Sequence, residues 1–244
     1  MSAPTFVSLG TQVQATGTAS VSWPTHQVGD IAILVNQHDA SLQASLSGVA
    51  TGWNLIGDTG GVGTGISATR ATVWWCRATT TSMPTVVVND AGDHNIAQIA
   101  LFRGCIDPNG TTNPVSVITS GNTANGTAFT IDALTTIKTD TMILCFVGGG
   151  GLNNAAVLNF GTAGPTNSVL TGFTLDSDTG STINNDGGAC SIIHGSLPII
   201  GSTGTITGTK NSTTFKAWIM ISLLSTTSVA TLTGSFFPFF NSNK

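Results

Sequence analysis

The chain has 244 residues, of which 7% are charged, with a formal net charge of −4 and neither Glu nor Tyr; soluble domains average about a quarter charged. Seven scattered basic residues leave no footprint for nucleic acid, and no apolar run approaches the roughly 18 residues needed to span a bilayer as a helix. A composition rich in Thr, Ser, Gly, Asn, Val and Ile disfavours long helices and suits short strands joined by tight turns, so the expected class is all-β.

TFVSLG opens the chain as a strand, and QATGTASVSWP supplies a turn and a second strand. In VGDIAILVNQ, Gly29-Asp30 is the turn and residues 31–35 are a buried strand. Gly52-Trp53 opens the short strand GWNLIGDT, and GDTGGVGTGIS reads as a loop. Three β-prone runs follow over residues 71–103, close enough to pair as an antiparallel meander. In the last of them Ala97, Ile99 and Leu101 alternate with Gln98, Ala100 and Phe102, the period of a strand.

After the linker CIDPNGTTNP the order repeats. ATGTA at 15–19 is answered by ANGTA at 124–128, an offset of 109, and Gly29-Asp30 by Thr139-Asp140, an offset of 110. Three further blocks share an offset of 120: Gly52-Trp53 with Gly172-Phe173, PTVVVN with GTITGT, and AQIALF with AWIMIS. Five blocks in one order point to a duplication, and a period this long excludes solenoid repeats and propeller blades. The expected fold is an antiparallel β-sandwich, jelly-roll-like in its connections. One domain would cover residues 1–234, with related halves at about 5–104 and 114–224. SVATLTGSF reads as one more strand. Beyond it Phe236, Phe237, Phe239 and Phe240 bracket Pro238 in a C-terminal arm, residues 235–244; Pro cannot donate to a ladder, so this is an edge or an extended segment.

Chemistry-bearing patterns are sparse. Cys76, Cys105, Cys145 and Cys190 lie far apart without ligand spacing and read as buried free thiols. With MSAPTFVSLG lacking the features of a signal peptide, they point to synthesis in a reducing cytoplasm. GGVGTG and GGGG lack the Lys-Ser/Thr of a phosphate-binding loop, and no G-x-S-x-G is present. His26, His38, His94 and His194 read as surface or rim histidines. The pairs Asp90/Asp93 and Asp176/Asp178 read as turn residues, although DSDTGS at 176–181 begins like a calcium loop. Trp53, Trp74, Trp75 and Trp218 read as core, with a sugar-stacking platform as the alternative.

VGDIAILVNQ, GWNLIGDT, TRATVWWCRATT and HNIAQIALFRG, preceded by PTFVSLGTQVQATGTASV, resemble in order and type a family of tailed-phage virion proteins. The resemblance covers residues 4–104 well and 114–224 as a degenerate second half. It implies a non-enzymatic β-sandwich of the virion, assembled in the host cytoplasm, first as a capsid decoration (cement) protein that stabilises the head. A tail or fibre structural protein, or a glycan-binding host-recognition module, is the alternative. The partners expected are copies of the chain itself, as a dimer or trimer, and major capsid or tail subunits. No nucleic acid, membrane, cofactor or metal enters this reading. The expected contact residues are Phe236, Phe237, Pro238, Phe239 and Phe240.

Overall fold

The computed structural model describes residues 2–39, 41–47, 51–65, 68–92, 94–107, 109–150, 160, 163–183 and 188–226. The Phe-rich arm with its five expected contact residues, the expected strand SVATLTGSF and Asp93 of the Asp90/Asp93 pair lie outside them.

Fourteen strands occur among the described residues, and no α-helix. The first nine are Thr5–Leu9 (β1), Val13–Ala15 (β2), Ala19–Val21 (β3), Ile31–His38 (β4), Leu46–Ser47 (β5), Asn54–Asp58 (β6), Arg70–Arg77 (β7), Val86–Val88 (β8) and Asn95–Arg103 (β9). The other five are Val115–Ile131 (β10), Thr141–Gly149 (β11), Thr171–Ser181 (β12), Gly188–Leu197 (β13) and Ile206–Leu223 (β14). The first sheet runs β1-β9-β4-β7-β6, with β2 also on β9; the second runs β10-β14-β11-β13-β12; a small third sheet is β3-β8-β5. Every strand pairing is antiparallel.

The two large sheets pack face to face in a β-sandwich-like arrangement. Ile31, Ile33, Val35, Val73, Trp75 and Phe102 of the first sheet share one buried cluster with Met142, Leu144, Phe146, Ile192, Ile219 and Ile221 of the second. Each such side chain, fully buried, contributes about 1.5–3 kcal/mol. The outer faces are covered too, which explains why residues 31–35 of β4 and 142–147 of β11 are apolar throughout instead of alternating. Ala32 and Leu34 point away from the central core and pack beneath Ala19, Val21, Val86 and Val88 of the third sheet. On the second sheet the far ends of β10 and β14 do the same work. Phe129, Ile131 and Ile206 lie over Ile143, Cys145, Val147, Trp218 and Met220.

Both large sheets have the same strand order: first, fifth, second, fourth and third in chain order across the sheet. Each is built from one contiguous stretch of chain, and the chain passes between them once, from β9 to β10. Jelly-roll connections would alternate between sheets, so the connectivity is not the jelly-roll-like one expected. The two large sheets stay separate because the strands that leave the first one, β3, β5 and β8, pair with each other over its outer face and not with the second sheet.

The offsets between the two stretches also need correction. Phe102 pairs with Ile31 and Leu223 with Met142, and Ile31 and Met142 are the first core-facing residues of their strands. β9 and β14 therefore correspond at an offset of 121, and β4 and β11 at 111. The Ala97-Ile99-Leu101 stripe faces the third sheet, whereas Ala217-Ile219-Ile221 faces the central core. A one-residue slip exchanges the faces of a strand, so the residues that answer to Ala97 and Ile99 are Trp218 and Met220. The Gly52/Gly172 match at 120 agrees with the geometry: both have positive φ (88° and 64°), and register shifts follow at Leu55/Gly57 and Leu175/Ser177.

Candidate functional site

The motif residues meet in space as a structural lock. Asp30 of VGD accepts hydrogen bonds at 2.8 and 2.7 Å from Nε and Nη2 of Arg103, the Arg of FRG, and a third at 2.8 Å from the Gln27 N–H. Asp30 is buried while Arg103 is half exposed. This pair ties the start of β4 to the end of β9, its neighbour in the sheet.

β4 ends in three buried polar residues, Asn36, Gln37 and His38. His38 and His94 are core residues, not the surface or rim histidines expected, because polar residues here continue a strand covered on both faces. His38 Nε2 lies 3.1 Å from Thr72 Oγ1, and Thr72 donates to Asp58 Oδ2 at 2.7 Å. Since the Thr72 proton goes to the carboxylate, the ring must donate through Nε2–H. Asp58 also accepts from Arg70 Nε at 2.8 and 3.0 Å and from the Gly60 N–H at 2.8 Å. Burial would raise the Asp58 carboxyl, but the hydrogen bonds from Arg70, Thr72 and Gly60 outweigh it and hold it below its ordinary value. Burial pushes His38 down to about 4, so the ring is neutral at pH 7. His38 cannot serve as the base for Thr72, because the nitrogen facing the hydroxyl already carries the proton.

A related cluster sits on the outer side of the second sheet. Asp178 accepts from Ser191 Oγ at 2.8 Å and from the Phe160 N–H at 2.8 Å. Lys210 Nζ donates to Ser191 Oγ at 2.6 Å, stands 3.6 Å from Asp178, and lies 4.1 Å from the centroid of the Phe160 ring. Burial pushes Lys210 down to about 8, against the pull of Asp178. A Ser-Lys pair is a known nucleophilic arrangement, but here the serine proton is committed to Asp178, and Ser191 and Lys210 are both fully buried. Lys216 is likewise buried, with its ammonium donating to the carbonyls of Gly126, Ala128 and Thr214. It thereby joins β10 to β14 beside the register shifts at Thr123/Gly126 and Gly126/Ala128.

Asp176 and Asp178 lie within β12, not in a turn. Asp176 holds His194 Nδ1 at 2.6 Å, and the His194 ring stacks on Phe6 at 4.8 Å. With both carboxylates occupied by protein donors, DSDTGS is a strand and not a calcium loop; no His/Cys/Asp/Glu group suited to a metal occurs among the described residues. Asp90 caps a turn by accepting from the Gly92 N–H at 3.1 Å, as expected. His26 bridges a turn, at 2.7 Å from the Pro24 carbonyl and accepting from the Met83 N–H at 3.3 Å.

Trp74, Trp75 and Trp218 are buried. Trp53 stays half-buried against Trp23, ring centroids 5.5 Å apart, and borders an open groove of about 410 Å³ with Gln43, Ser45, Leu46, Leu55 and Trp74. A sugar platform built on Trp53, Trp74 and Trp218 together is therefore ruled out, leaving Trp53 as the only one of the three that is not buried. The four cysteines are free and buried. Burial pushes Cys76 up to about 11 and Cys105 and Cys190 to about 12, so none is a thiolate at neutral pH.

Sequence reasoning missed the His38–Thr72–Asp58–Arg70 chain, though one signal was present. Asn36 and His38 continue the period-2 face of Ala32 and Leu34, so a covered outer face would bury them. Comparison of this chain with protein-family models, with curated proteins and with solved structures finds no match.

Proposed function

We propose that this protein is a non-enzymatic structural component of a tailed-phage virion, in the first place a capsid decoration (cement) protein. The observation that carries the reading is the Asp30–Arg103 pair. The residues through which the chain resembles phage virion proteins hold its sheet together, which is what motifs of a structural family do. The common strand order of the two large sheets supports a second part of the reading, that they are related halves of one duplicated unit. Such a unit would cement by burying apolar surface between capsomers, which raises the free energy needed to separate them. The Phe-rich arm with Phe236, Phe237, Pro238, Phe239 and Phe240 would supply that surface, since aromatics dominate burial at interfaces.

Deleting residues 235–244 is expected to lower the number of copies on purified particles while the deleted protein keeps its folded circular-dichroism spectrum and melting transition. Undiminished occupancy would sink the role of the arm. The same unit placed in a tail or fibre is the alternative location. A glycan-binding role is favoured by one observation, the half-exposed Trp53 beside its groove. Quenching of tryptophan fluorescence by oligosaccharides of the host envelope, lost in Trp53→Ala, would establish it.

A further inference from the structure

We propose that β10 is the edge through which two copies of this chain pair. Each large sheet has two edges, that beside β9 shared by β1 and the three-residue β2, and three of the four edges carry devices that discourage pairing. β1 and β6 have five residues each, and each contains a register shift. β12 is interrupted twice and bears Asp176 and Asp178. Its Gly180 carbonyl is taken by Gln14 Nε2 at 3.2 Å. β10 has register shifts too, three of them, but it spans 17 residues without a charged residue or a proline and keeps the longest unbroken run of the four. Its pairing with β14 is unbroken from Val117 to Thr123.

Only one side of that run is used. Between Ile118 and Thr123 the N–H and C=O groups directed away from β14 have no partner among the described residues. Exposed backbone of this kind is a template for another strand. A second copy of β10 fits it because an antiparallel pair of identical strands closes on a two-fold axis, giving an isologous contact with no free end. Neutrality matters equally, since a charged strand would repel its own copy at that axis. Ser120 is the midpoint of the unbroken run and is exposed, so the axis is placed there. Pairing would join the two five-stranded sheets into one of ten strands. The far halves of the strands, with their bulges at Thr123/Gly126 and Gly126/Ala128, would curl away from the axis.

This contact is the one through which copies would meet in the assembly proposed above, yet it can fail separately, because it is read on the isolated protein and not on particles. The test is light scattering on the full chain over a range of concentrations, with Ser120→Lys and Ser120→Glu. The wild type is expected to show a dimer. Each variant alone brings like charges together at the axis and weakens the dimer by about tenfold or more, about 1.4 kcal/mol. An equimolar mixture of the two variants recovers it, because opposite charges then face each other. Melting temperatures should match the wild type; if they do not, Thr119→Lys and Thr119→Glu take their place. A wild-type monomer at every concentration overturns the proposal, whether the edge stays open or the chain's own C-terminal segment covers it. So does a dimer indifferent to both charges, or a mixture that fails to re-pair.

Discussion

At the scale of single residues, the buried polar groups explain more of this protein than its exposed ones. His38 is neutral and locked between β4 and β7 by Thr72, and its position makes stability depend on pH. Its ordinary value of 6.5 applies in the unfolded chain, while burial holds it at about 4 in the fold. Between those values the unfolded chain binds a proton that the folded chain does not, so stability falls as pH drops from 6.5 toward 4. At about 1.4 kcal/mol per pH unit the loss approaches 3 kcal/mol. His38→Gln keeps a donor for Thr72 and cannot titrate. Urea unfolding at pH 7 and pH 4.5 is expected to show a smaller drop for this variant than for the wild type. Equal drops in the two proteins would mean that His38 protonates in the fold as easily as out of it.

At the scale of elements, the runs of β-prone sequence were legible. IAILV, ATVWWCR and IAQIALFR are strands because apolar and β-branched residues crowd them, and Gly29, Gly52 and Gly104 take the positive φ that their turns need. Register was not legible. AQIALF and AWIMIS match by eye at an offset of 120, yet both faces of β9 and β14 are buried, so side-chain type cannot report which face is inward. Only hydrogen-bonded neighbours fix it. Close packing of β10 on β14 has a direct consequence at Gly121, where an added Cβ would lie 2.7 Å from the Trp218 ring. Gly121→Val is expected to destabilise by about 1–3 kcal/mol through overpacking, despite the β propensity of Val. Gly17→Ala, whose added carbon meets nothing within 4 Å, should change little by the same chemical denaturation. Equal effects would show that β10 has room to shift.

At the scale of the whole molecule, the shared central core decides how the chain behaves. Neither large sheet can close off Ile33, Trp75, Phe146 and Ile219 alone, because these residues pack in one cluster between the two. Scanning calorimetry is therefore expected to give one transition with equal calorimetric and van't Hoff enthalpies; two resolved transitions would mean that the halves fold independently. The functional reading belongs to this scale as well, and the sequence motifs reach it only through structure. The Asp and Arg of VGD and FRG are 73 positions apart, and only the fold shows them as partners. The most direct measurement is an image of the purified phage particle carrying a density label fused to this chain. Regular labelling over the head is the result the account predicts, and particles that carry no label would contradict it.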